Sequence, residues 1–459
     1  METITNTLRD SKVARWTALG VVAFTMLCGY YLTDIMAPLK PLLEKELLWN
    51  SAEYGFFTSA YGWFNVFLLM LLFGGIILDK MGVRFTGVMA TSIMVIGTAI
   101  KYWAISTHSL DGHVLLGMKS QVVIAGLGFA TFGVGVEVAG ITVSKIIVKW
   151  FKGKEMALAM GLEMATARLG TALAMTTSIP IARALHGVSK PILVCLIMLC
   201  IGMISFIVYT FMDKKLDKSI AEEAAGNPVE SEESFRLKDI LFIIRNRGWW
   251  YIAILCVLFY SAVFPFIKYA TDLMVNKFHV DQELAGIIPG LLPFGTILLT
   301  PLFGNLYDRK GKGATIMIIG AILLIFVHAM YSIPFLTATP IAIVLIIILG
   351  IGFSLVPSAM WPSVPKIIPE KQLGTAYALI FLVQNVGLML VPLLIGWVLN
   401  KYCISGTRLL DGVEVSNYNY TLPMIIFTCF GVLALIFAIL LKREDKKKGY
   451  GLELPNIKK

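Results

Sequence analysis

An acidic and a basic residue lie deep inside two consecutive apolar segments of the chain. Glu137 precedes Lys149 and Arg168 follows Met156, in each case by about three helical turns, or roughly 18 Å along a helix. On two antiparallel helices the two charges would therefore lie at the same depth. Because a charge at the centre of a bilayer costs at least ~2.5–3.5 kcal/mol, each needs a partner or a water-filled cavity. The spacing predicts an ion pair near the middle of the molecule.

A second acid and base lie nearer the opposite ends of their segments. Asp34 is in the first apolar segment and Lys268 is in the seventh, at comparable heights. They could face each other and form a gate or a proton-sensitive pair, and Lys268 is also a candidate substrate-binding residue. The alternative is that both extend to the membrane surface, as we expect for Lys101 at the end of the third segment.

Aromatic and amide side chains in the same segments suit the recognition of a small polar solute, because each combines an apolar body with one polar group. The candidates are Tyr30, Tyr260, Trp361, Gln384 and Asn385. Tyr30 and Tyr260 hold similar places in the first and seventh segments. For each of these residues, packing within the protein or against lipid is the alternative.

The segments that carry these residues have the composition of a membrane protein. Of the 459 residues 57% are hydrophobic and 15% are charged, whereas soluble domains contain roughly 45–50% apolar and about 25% charged residues. Apolar runs of about 20 residues, the length that crosses a bilayer, recur along the chain. They predict an all-α membrane protein with twelve transmembrane helices. The predicted helices lie near residues 13–38, 52–79, 86–106, 118–148, 156–181, 191–212, 248–274, 284–307, 314–333, 339–365, 373–399 and 421–442.

One long hydrophilic stretch divides the chain into two six-helix halves. It covers residues 213–247, and it separates an N-terminal half (1–212) from a C-terminal half (248–442), which a basic tail (443–459) follows. Most lysines and arginines fall between alternate helices on one side. The positive-inside rule therefore predicts that both termini, the linker and the tail are cytoplasmic.

The two halves carry copies of one motif, G-x-x-x-D-[K/R]-x-G, after their second helices. We call residues 75–84 and 304–312 the two motif loops. We expect their glycines to permit close helix approach and their aspartates to face a basic partner, so that the loops form a cytoplasmic latch; a plain basic turn is the alternative. The latch residues are Gly75, Asp79, Lys80, Gly82, Arg84, Gly304, Asp308, Arg309 and Gly311.

Two copies of this motif at equivalent places resemble the signature of the major facilitator superfamily. The resemblance implies that helices 1, 4, 7 and 10 line a central cavity and that the latch holds the halves in one state. Three stretches are similar to one branch of this superfamily, called major facilitator superfamily domain-containing protein 1, which contains a dipeptide transporter and its bacterial relatives. They are the residues around Glu137, the segment Arg168-Leu-Gly170 and residues 263–267. That branch implies that Glu137 and Arg168 bind the amino and carboxylate ends of a zwitterionic peptide. A structural salt bridge between helices 4 and 5 is the alternative.

The function we predict is secondary transport of a small polar solute by alternating access, with a dipeptide or similar zwitterion favoured. A proton-coupled carboxylate transporter is the alternative, in which Arg168 binds the anion and Glu137 or Asp34 carries the proton. A non-transporting receptor is the more remote alternative. We expect no enzyme activity, since no nucleophile–base arrangement or Walker loop is present, and no cofactor or metal, since the six cysteines and five histidines are scattered.

The composition and the charge distribution also predict the partners and the cellular location of the protein. The net charge of +10 is explained by the lysines and arginines that the positive-inside rule requires on the cytoplasmic side, so we expect no nucleic-acid partner. The partners are a small-molecule substrate and the lipid bilayer, and we expect a monomer. The predicted location is the cell membrane, which is the inner membrane if the source is a Gram-negative bacterium.

Overall fold

The computed structural model of the protein describes residues 8–151, 154–223, 237–369 and 372–456. Within these ranges the chain forms fifteen α-helices and four short strands. The elements are α1 (Lys12–Asp34), α2 (Lys40–Leu47), α3 (Ser51–Ser59), α4 (Trp63–Phe67), α5 (Met70–Ser106), β1 (Val114–Leu115), β2 (Met118–Lys119), α6 (Ser120–Phe151), α7 (Met156–Ala184), α8 (Lys190–Glu223), α9 (Leu237–Ile244), α10 (Arg247–Phe278), α11 (Ile287–Lys310), α12 (Gly313–Ser332), α13 (Thr339–Ile367), α14 (Leu373–Tyr402), β3 (Ile404–Leu410), β4 (Val413–Tyr418) and α15 (Thr421–Lys448).

Ten helices in the described part of the chain are long and apolar enough to cross a membrane. They are α1, α5, α6, α8 and α10 to α15. The helix α7 matches the predicted fifth span, but it is less apolar because charged and hydroxyl side chains interrupt it. The two pairs of strands form antiparallel hairpins in the connections before α6 and α15.

The predicted uninterrupted helix over 52–79 is wrong. The chain forms α3, a 3-10 turn and the short α4, and then turns at Leu69 with a left-handed φ of 53° before α5 begins. Contacts with neighbouring helices accompany the break. The Asn65 amide donates to the Gly133 carbonyl at 3.3 Å, and a Cβ at Gly62 would lie 3.1 Å from the Asn385 carbonyl.

The last glycine of each motif loop has a backbone conformation that L-amino acids rarely adopt. Gly82 interrupts α5 with φ 75° and ψ 174°, and Gly311 follows α11 with φ 69° and ψ −137°. The first glycines differ from our expectation, because a Cβ at Gly75 or Gly304 would meet no atom within 4 Å. In this conformation of the protein these two glycines do not permit a close helix contact.

The Gly82→Ala variant is expected to unfold at a lower temperature than the wild type. Its conformation lies near a region that only glycine occupies readily, so a side chain there costs on the order of 1–3 kcal/mol. Gly75→Ala is the matched control, since its helical site is open and alanine is the better helix former by about 1 kcal/mol. Thermal unfolding in detergent measures both variants. Equal melting temperatures would contradict a strained Gly82.

The halves contact each other mainly on one side of the molecule. We call the side that carries the two hairpins the outer face and the side that carries the motif loops the inner face. Four ion pairs between described residues join the halves, and all four lie toward the outer face. They are Lys40–Asp272, Lys45–Asp411, Arg183–Glu283 and Lys268–Asp34. The structure therefore shows the outer face closed.

The boundaries of the hydrophilic segments differ from the prediction. The helix α8 passes the predicted end at 212 because Asp213 is buried and accepts hydrogen bonds from Trp150 Nε1 at 3.1 Å and Tyr209 Oη at 3.0 Å. The linker residues 224–236 and the tail residues 457–459 lie outside the described residues. Residues 449–456 fold back onto the second motif loop, where Leu452 is buried and its carbonyl accepts from Gly313 N at 2.9 Å.

Candidate functional site

A cavity lies between the two halves, at the place where the spans carry their polar residues. The N-terminal half supplies its wall from α1, α3, the 3-10 turn and α6, and the C-terminal half from α10 and α14. The lining residues are Tyr30, Thr33, Asp34, Thr58, Tyr61, Val136, Glu137, Phe264, Pro265, Lys268, Gln384, Leu388 and Pro392. The cavity combines several charged or polar groups with a largely apolar wall, which is the usual composition of a small-molecule site.

The predicted ion pair between Glu137 and Arg168 is not formed in this structure. Instead Glu137 Oε1 accepts a hydrogen bond of 2.7 Å from Tyr61 Oη. The amide of Asn385 is its other polar neighbour. The phenol reaches the carboxylate because the break after α3 turns Tyr61 toward α6, an orientation that helix depth alone does not predict.

Arg168 is held by aromatic rings. Its Cζ lies 5.7 Å from the ring centroid of Tyr30, 5.5 Å from that of Phe264 and 5.2 Å from that of Phe353. Contacts of this kind stabilise a cation by about 0.5–2 kcal/mol each and leave its N–H groups available. Among the described residues no carboxylate lies within 4.0 Å of the Arg168 guanidinium. The side chain is thus a cation that rings hold in place, and its charge acts on the Glu163 carboxyl without a close ion pair. Arg168 lies behind Tyr30 and Phe264 and is not itself among the lining residues.

Asp34 and Lys268 contact each other across the two halves, which is the juxtaposition that their heights suggested. Lys268 Nζ lies 2.6 Å from Asp34 Oδ1 and 2.5 Å from the Thr33 carbonyl oxygen. Thr171 Oγ1 donates to the other carboxylate oxygen of Asp34 at 2.7 Å. The side chains are only 13% and 7% exposed, so they do not extend to the membrane surface. These two charges neutralise each other.

The remaining predicted binding residues form the C-terminal wall behind the cavity. Trp361 Nε1 donates to Tyr260 Oη at 3.1 Å, and the Tyr260 ring stacks on Phe264 at 5.2 Å. Gln384 lines the cavity and accepts from Cys256 Sγ at 3.5 Å. Asn385 is buried, and its Nδ2 donates to the Phe381 carbonyl at 3.0 Å. Tyr260 and Trp361 therefore support the rings around Arg168 and are not among the lining residues.

The latch residues find partners within their own halves. Lys145 binds Asp79 at 3.0 Å, and Arg84 binds Asp217 at 2.6 Å. Asn456 Nδ2 donates to Asp308 at 2.7 Å. Lys80 and Arg309 are exposed. The two motif loops therefore stabilise their separate halves in this conformation, and a latch between the halves remains a proposal for the opposite conformation.

Lys101 contradicts the expectation that it reaches the membrane surface. The residue is fully buried, and its Nζ has no hydrogen-bond partner in the described part of the chain. The ammonium lies 4.5 Å from the ring centroid of Phe129 and 5.2 Å from that of Phe57. Sequence reasoning also missed Tyr61, Phe353 and Thr171 as neighbours of the charged residues. Only Phe353 carried a signal, because it follows the glycines of a repeated Gly-x-Gly-Phe segment.

The chain is similar to known transporters over most of its length. The family model described as Major Facilitator Superfamily matches residues 22–392. The "Lysosomal dipeptide transporter MFSD1" of Mus musculus is 27% identical over 401 residues, which cover 84% of this chain and 80% of that protein. The "Probable nitrate transporter NarT" of Staphylococcus carnosus is 23% identical, covering 94% of this chain and 97% of that protein.

Solved structures share the fold. A bacterial homologue of the human lysosomal transporter Spinster superposes with a TM-score of 0.71 at 14% identity, covering 95% of this chain and 98% of that chain. A D-xylose–proton symporter superposes with a TM-score of 0.70 at 15% identity, covering 93% and 97%. The family model covers far more than half of the residues, and the chain folds as these transporters do. The protein therefore belongs to the Major Facilitator Superfamily and is a multi-pass membrane transporter without enzymatic activity.

Proposed function

We propose that the protein moves a dipeptide, or a similar zwitterion, across the membrane by alternating access. The observation that carries the proposal is the distribution of unpaired charge beside the cavity. Lys268 and Asp34 neutralise each other, whereas neither Arg168 nor Glu137 forms an ion pair within 4.0 Å among the described residues, and Arg168 acts on Glu163 only at longer range. One free cation and one free acid, held in fixed places, are complementary to a solute that carries one charge of each sign.

The chemistry of each group assigns its end of the substrate. The Arg168 guanidinium presents a planar set of N–H donors that matches a carboxylate in a two-point contact. Glu137 accepts hydrogen bonds and binds an ammonium group, while Tyr61 holds its carboxylate in place. The apolar side chains of Val136, Phe264 and Leu388 in the lining form no directional hydrogen bonds with a substrate. It would therefore accept side chains of different shapes.

The closed outer face gives the direction of release in this state. Because the ion pairs between the halves lie toward the outer face, we infer that the substrate leaves toward the inner face. We place the inner face in the cytoplasm, with both termini, on the basis of the positive-inside rule. We further propose that the protein acts as a monomer in the cell membrane, or in the inner membrane of a Gram-negative source.

Counterflow in proteoliposomes tests the substrate class. The vesicles are loaded with an unlabelled dipeptide, and uptake of the labelled dipeptide is challenged with the free, the N-acetylated and the C-amidated forms. Blocking either end removes one charge-assisted contact, which lowers affinity by roughly 10- to 100-fold if the contact contributes ~1.5–3 kcal/mol. Equal competition by all three forms would contradict recognition of both ends.

Proton-coupled transport of a carboxylate is the second candidate, and the free Arg168 favours it as much as it favours a zwitterion. An amine-blocked peptide or a simple carboxylate would then compete as well as the free dipeptide. An imposed pH gradient would also drive its accumulation, whereas a uniporter is indifferent to the gradient. The two experiments together separate the candidates.

Glu137→Gln is expected to remove the preference for a free amino group. We expect the KM of the free dipeptide to rise by about 10- to 100-fold, because an amide cannot form the charge-assisted contact. The affinity of the N-acetyl peptide should change little. Tyr61→Phe keeps the carboxylate and should keep the preference, and Glu444→Gln at the inner end of α15 is the matched control. Unchanged discrimination in Glu137→Gln would exclude Glu137 as the amine contact.

A further inference from the structure

A buried ionic cluster joins the two halves at the outer face, away from the cavity. Lys40 Nζ lies 2.8 Å from Asp272 Oδ2 and 2.7 Å from Glu44 Oε1. Lys40 and Asp272 are fully buried, and the Glu44 side chain is 5% exposed. Lys40 and Glu44 belong to α2 in the N-terminal half, whereas Asp272 belongs to α10 in the C-terminal half. The cluster therefore exists only while the outer face is closed.

The cluster holds two carboxylates and one ammonium, and the two carboxylates are unequally satisfied. Asp272 accepts from Lys40, from Asn276 Nδ2 at 2.8 Å and from the Tyr420 hydroxyl. Glu44 Oε1 accepts from Lys40 and, weakly, from Ser51 Oγ at 3.4 Å. Glu44 Oε2 is buried, and no described residue lies within hydrogen-bonding geometry of it, although the Tyr418 hydroxyl is nearby.

We propose that this cluster is a proton-binding site and that Glu44 carries the proton on Oε2 while the outer face is closed. With both carboxylates ionised the buried cluster would hold one uncompensated negative charge, which costs several kcal/mol. Asp272 has the full set of donors that stabilises a carboxylate, so the proton resides on Glu44. Burial, together with the Asp272 charge, raises the pKa of Glu44 above its ordinary value, although the Lys40 charge and the Tyr418 hydroxyl oppose this.

The other titratable groups that face Glu44 come from four elements of the fold. Lys40 lies on its own helix, Asp272 on α10 and Tyr418 on β4, and its charge also acts on Tyr54 of α3 and on Tyr420. The tyrosines are neutral near pH 7 because a phenol ordinarily titrates near pH ~10. Lys40 stays charged between two acids.

Proton binding would couple external pH to the opening of the outer face. When α10 moves away from α2, water reaches Glu44, and its pKa returns toward the ordinary value of about 4.3. The closed state, with the raised pKa, is therefore fully favoured below that value and loses this stabilisation as pH rises through the closed-state pKa. An alkaline outside favours opening. This inference does not depend on which solute is transported.

Infrared difference spectroscopy of the full chain in nanodiscs, at pH steps from acid to alkaline, detects the proton directly. We expect the carbonyl band of a protonated carboxylic acid to disappear as pH rises, and Glu44→Gln to lack this band. Glu46→Gln on the same helix is the matched control, since Glu46 is exposed and binds Val188 N at 2.8 Å. A band that persists unchanged in Glu44→Gln would overturn the proposal.

Thiol labelling tests the coupling to opening. Gln282 is buried at the outer contact between the halves. The labelling rate of Gln282→Cys, after subtraction of the rate measured for the native cysteines of the parent protein, therefore reports opening. The rate is normalised to Ser109→Cys in the exposed outer connection, which corrects for thiol ionisation. We expect the normalised rate to rise with pH and to become independent of pH in Glu44→Gln. Asp272→Asn, which removes the excess charge from the other half, is expected to do the same. A pH dependence that survives in both variants would overturn the proposal.

Discussion

Replacing Arg168 by alanine is expected to abolish transport while the protein remains folded and inserted. The guanidinium lies between aromatic rings at 5.2 to 5.7 Å and forms no ion pair within 4.0 Å among the described residues, so its loss breaks no close ion pair. Its charge does act on the Glu163 carboxyl, which is only partly buried. Lys268 cannot replace it, because Asp34 binds that ammonium. Loss of a desolvated charge contact costs about 2–5 kcal/mol, which corresponds to a fall in affinity of roughly 30- to several-thousand-fold.

Uptake of a labelled dipeptide by proteoliposomes measures this effect, with thermal unfolding as the check on folding. Arg443→Ala is the matched control, because Arg443 is exposed at the inner end of α15. Arg168→Lys keeps the charge but loses the planar donor set, so we expect partial activity. Saturable uptake with an unaltered KM in Arg168→Ala would remove Arg168 from the substrate site.

Replacing Lys40 by methionine is expected to shift the protein strongly toward the outward-open conformation. The ammonium lies 2.8 Å from Asp272 and 2.7 Å from Glu44, and its removal leaves the buried Asp272 carboxylate without a counter-charge. Removing one partner of a buried ion pair costs about 3–5 kcal/mol, which is roughly a 150- to several-thousand-fold change in the ratio of closed to open molecules. Labelling of Gln282→Cys measures the shift.

A neighbouring ion pair supplies the control for this variant. Lys45 also reaches across the halves, to Asp411 at 2.8 Å, but the two side chains are 23% and 51% exposed. Exposed ion pairs contribute only about 0–1 kcal/mol to stability. We therefore expect Gln282→Cys to be labelled almost as slowly in the Lys45→Met variant as in the protein that keeps Lys45. Adding Asp272→Asn and Glu44→Gln to Lys40→Met should restore slow labelling, because the cluster is then neutral. Equal labelling of Lys40→Met and Lys45→Met would show that the buried cluster does not hold the outer face closed.

Much of the fold could be predicted from the length and apolarity of the segments. Hydropathy does not detect the break near Leu69, because the residues on both sides are as apolar as an unbroken helix requires. The break coincides with contacts between segments that are distant in sequence, such as the Asn65 amide on the Gly133 carbonyl. Contacts of this kind depend on the packing of three helices and leave no periodic signal in the sequence.

In the candidate site, the sequence predicted the depth of each charged side chain in the membrane but not the neighbour that each side chain faces. Counting residues from a helix end placed Asp34 and Lys268 at comparable heights, and the structure brings them to 2.6 Å. The same count placed Glu137 and Arg168 at equal depth but could not predict which neighbour each side chain faces. Tyr61 from the broken segment binds Glu137, and Phe353 from the other half packs on Arg168. The depth of a residue follows from its position along one helix, whereas the direction of its side chain depends on how all the neighbouring helices pack.

The buried Lys101 has a consequence for how the protein is made. On a translocon-based scale the cost of an isolated lysine in an inserting helix reaches about 2.5–3.5 kcal/mol at the helix centre and is smaller toward the end, where Lys101 lies. Among the described residues no acid within hydrogen-bond distance compensates Lys101 in the finished protein. The Phe57 and Phe129 rings over its ammonium come from α3, which is synthesised before α5, and from α6, which is synthesised after it. We therefore expect membrane insertion of this region to be cooperative, because one of the two rings is available only after the span that follows has emerged and packed.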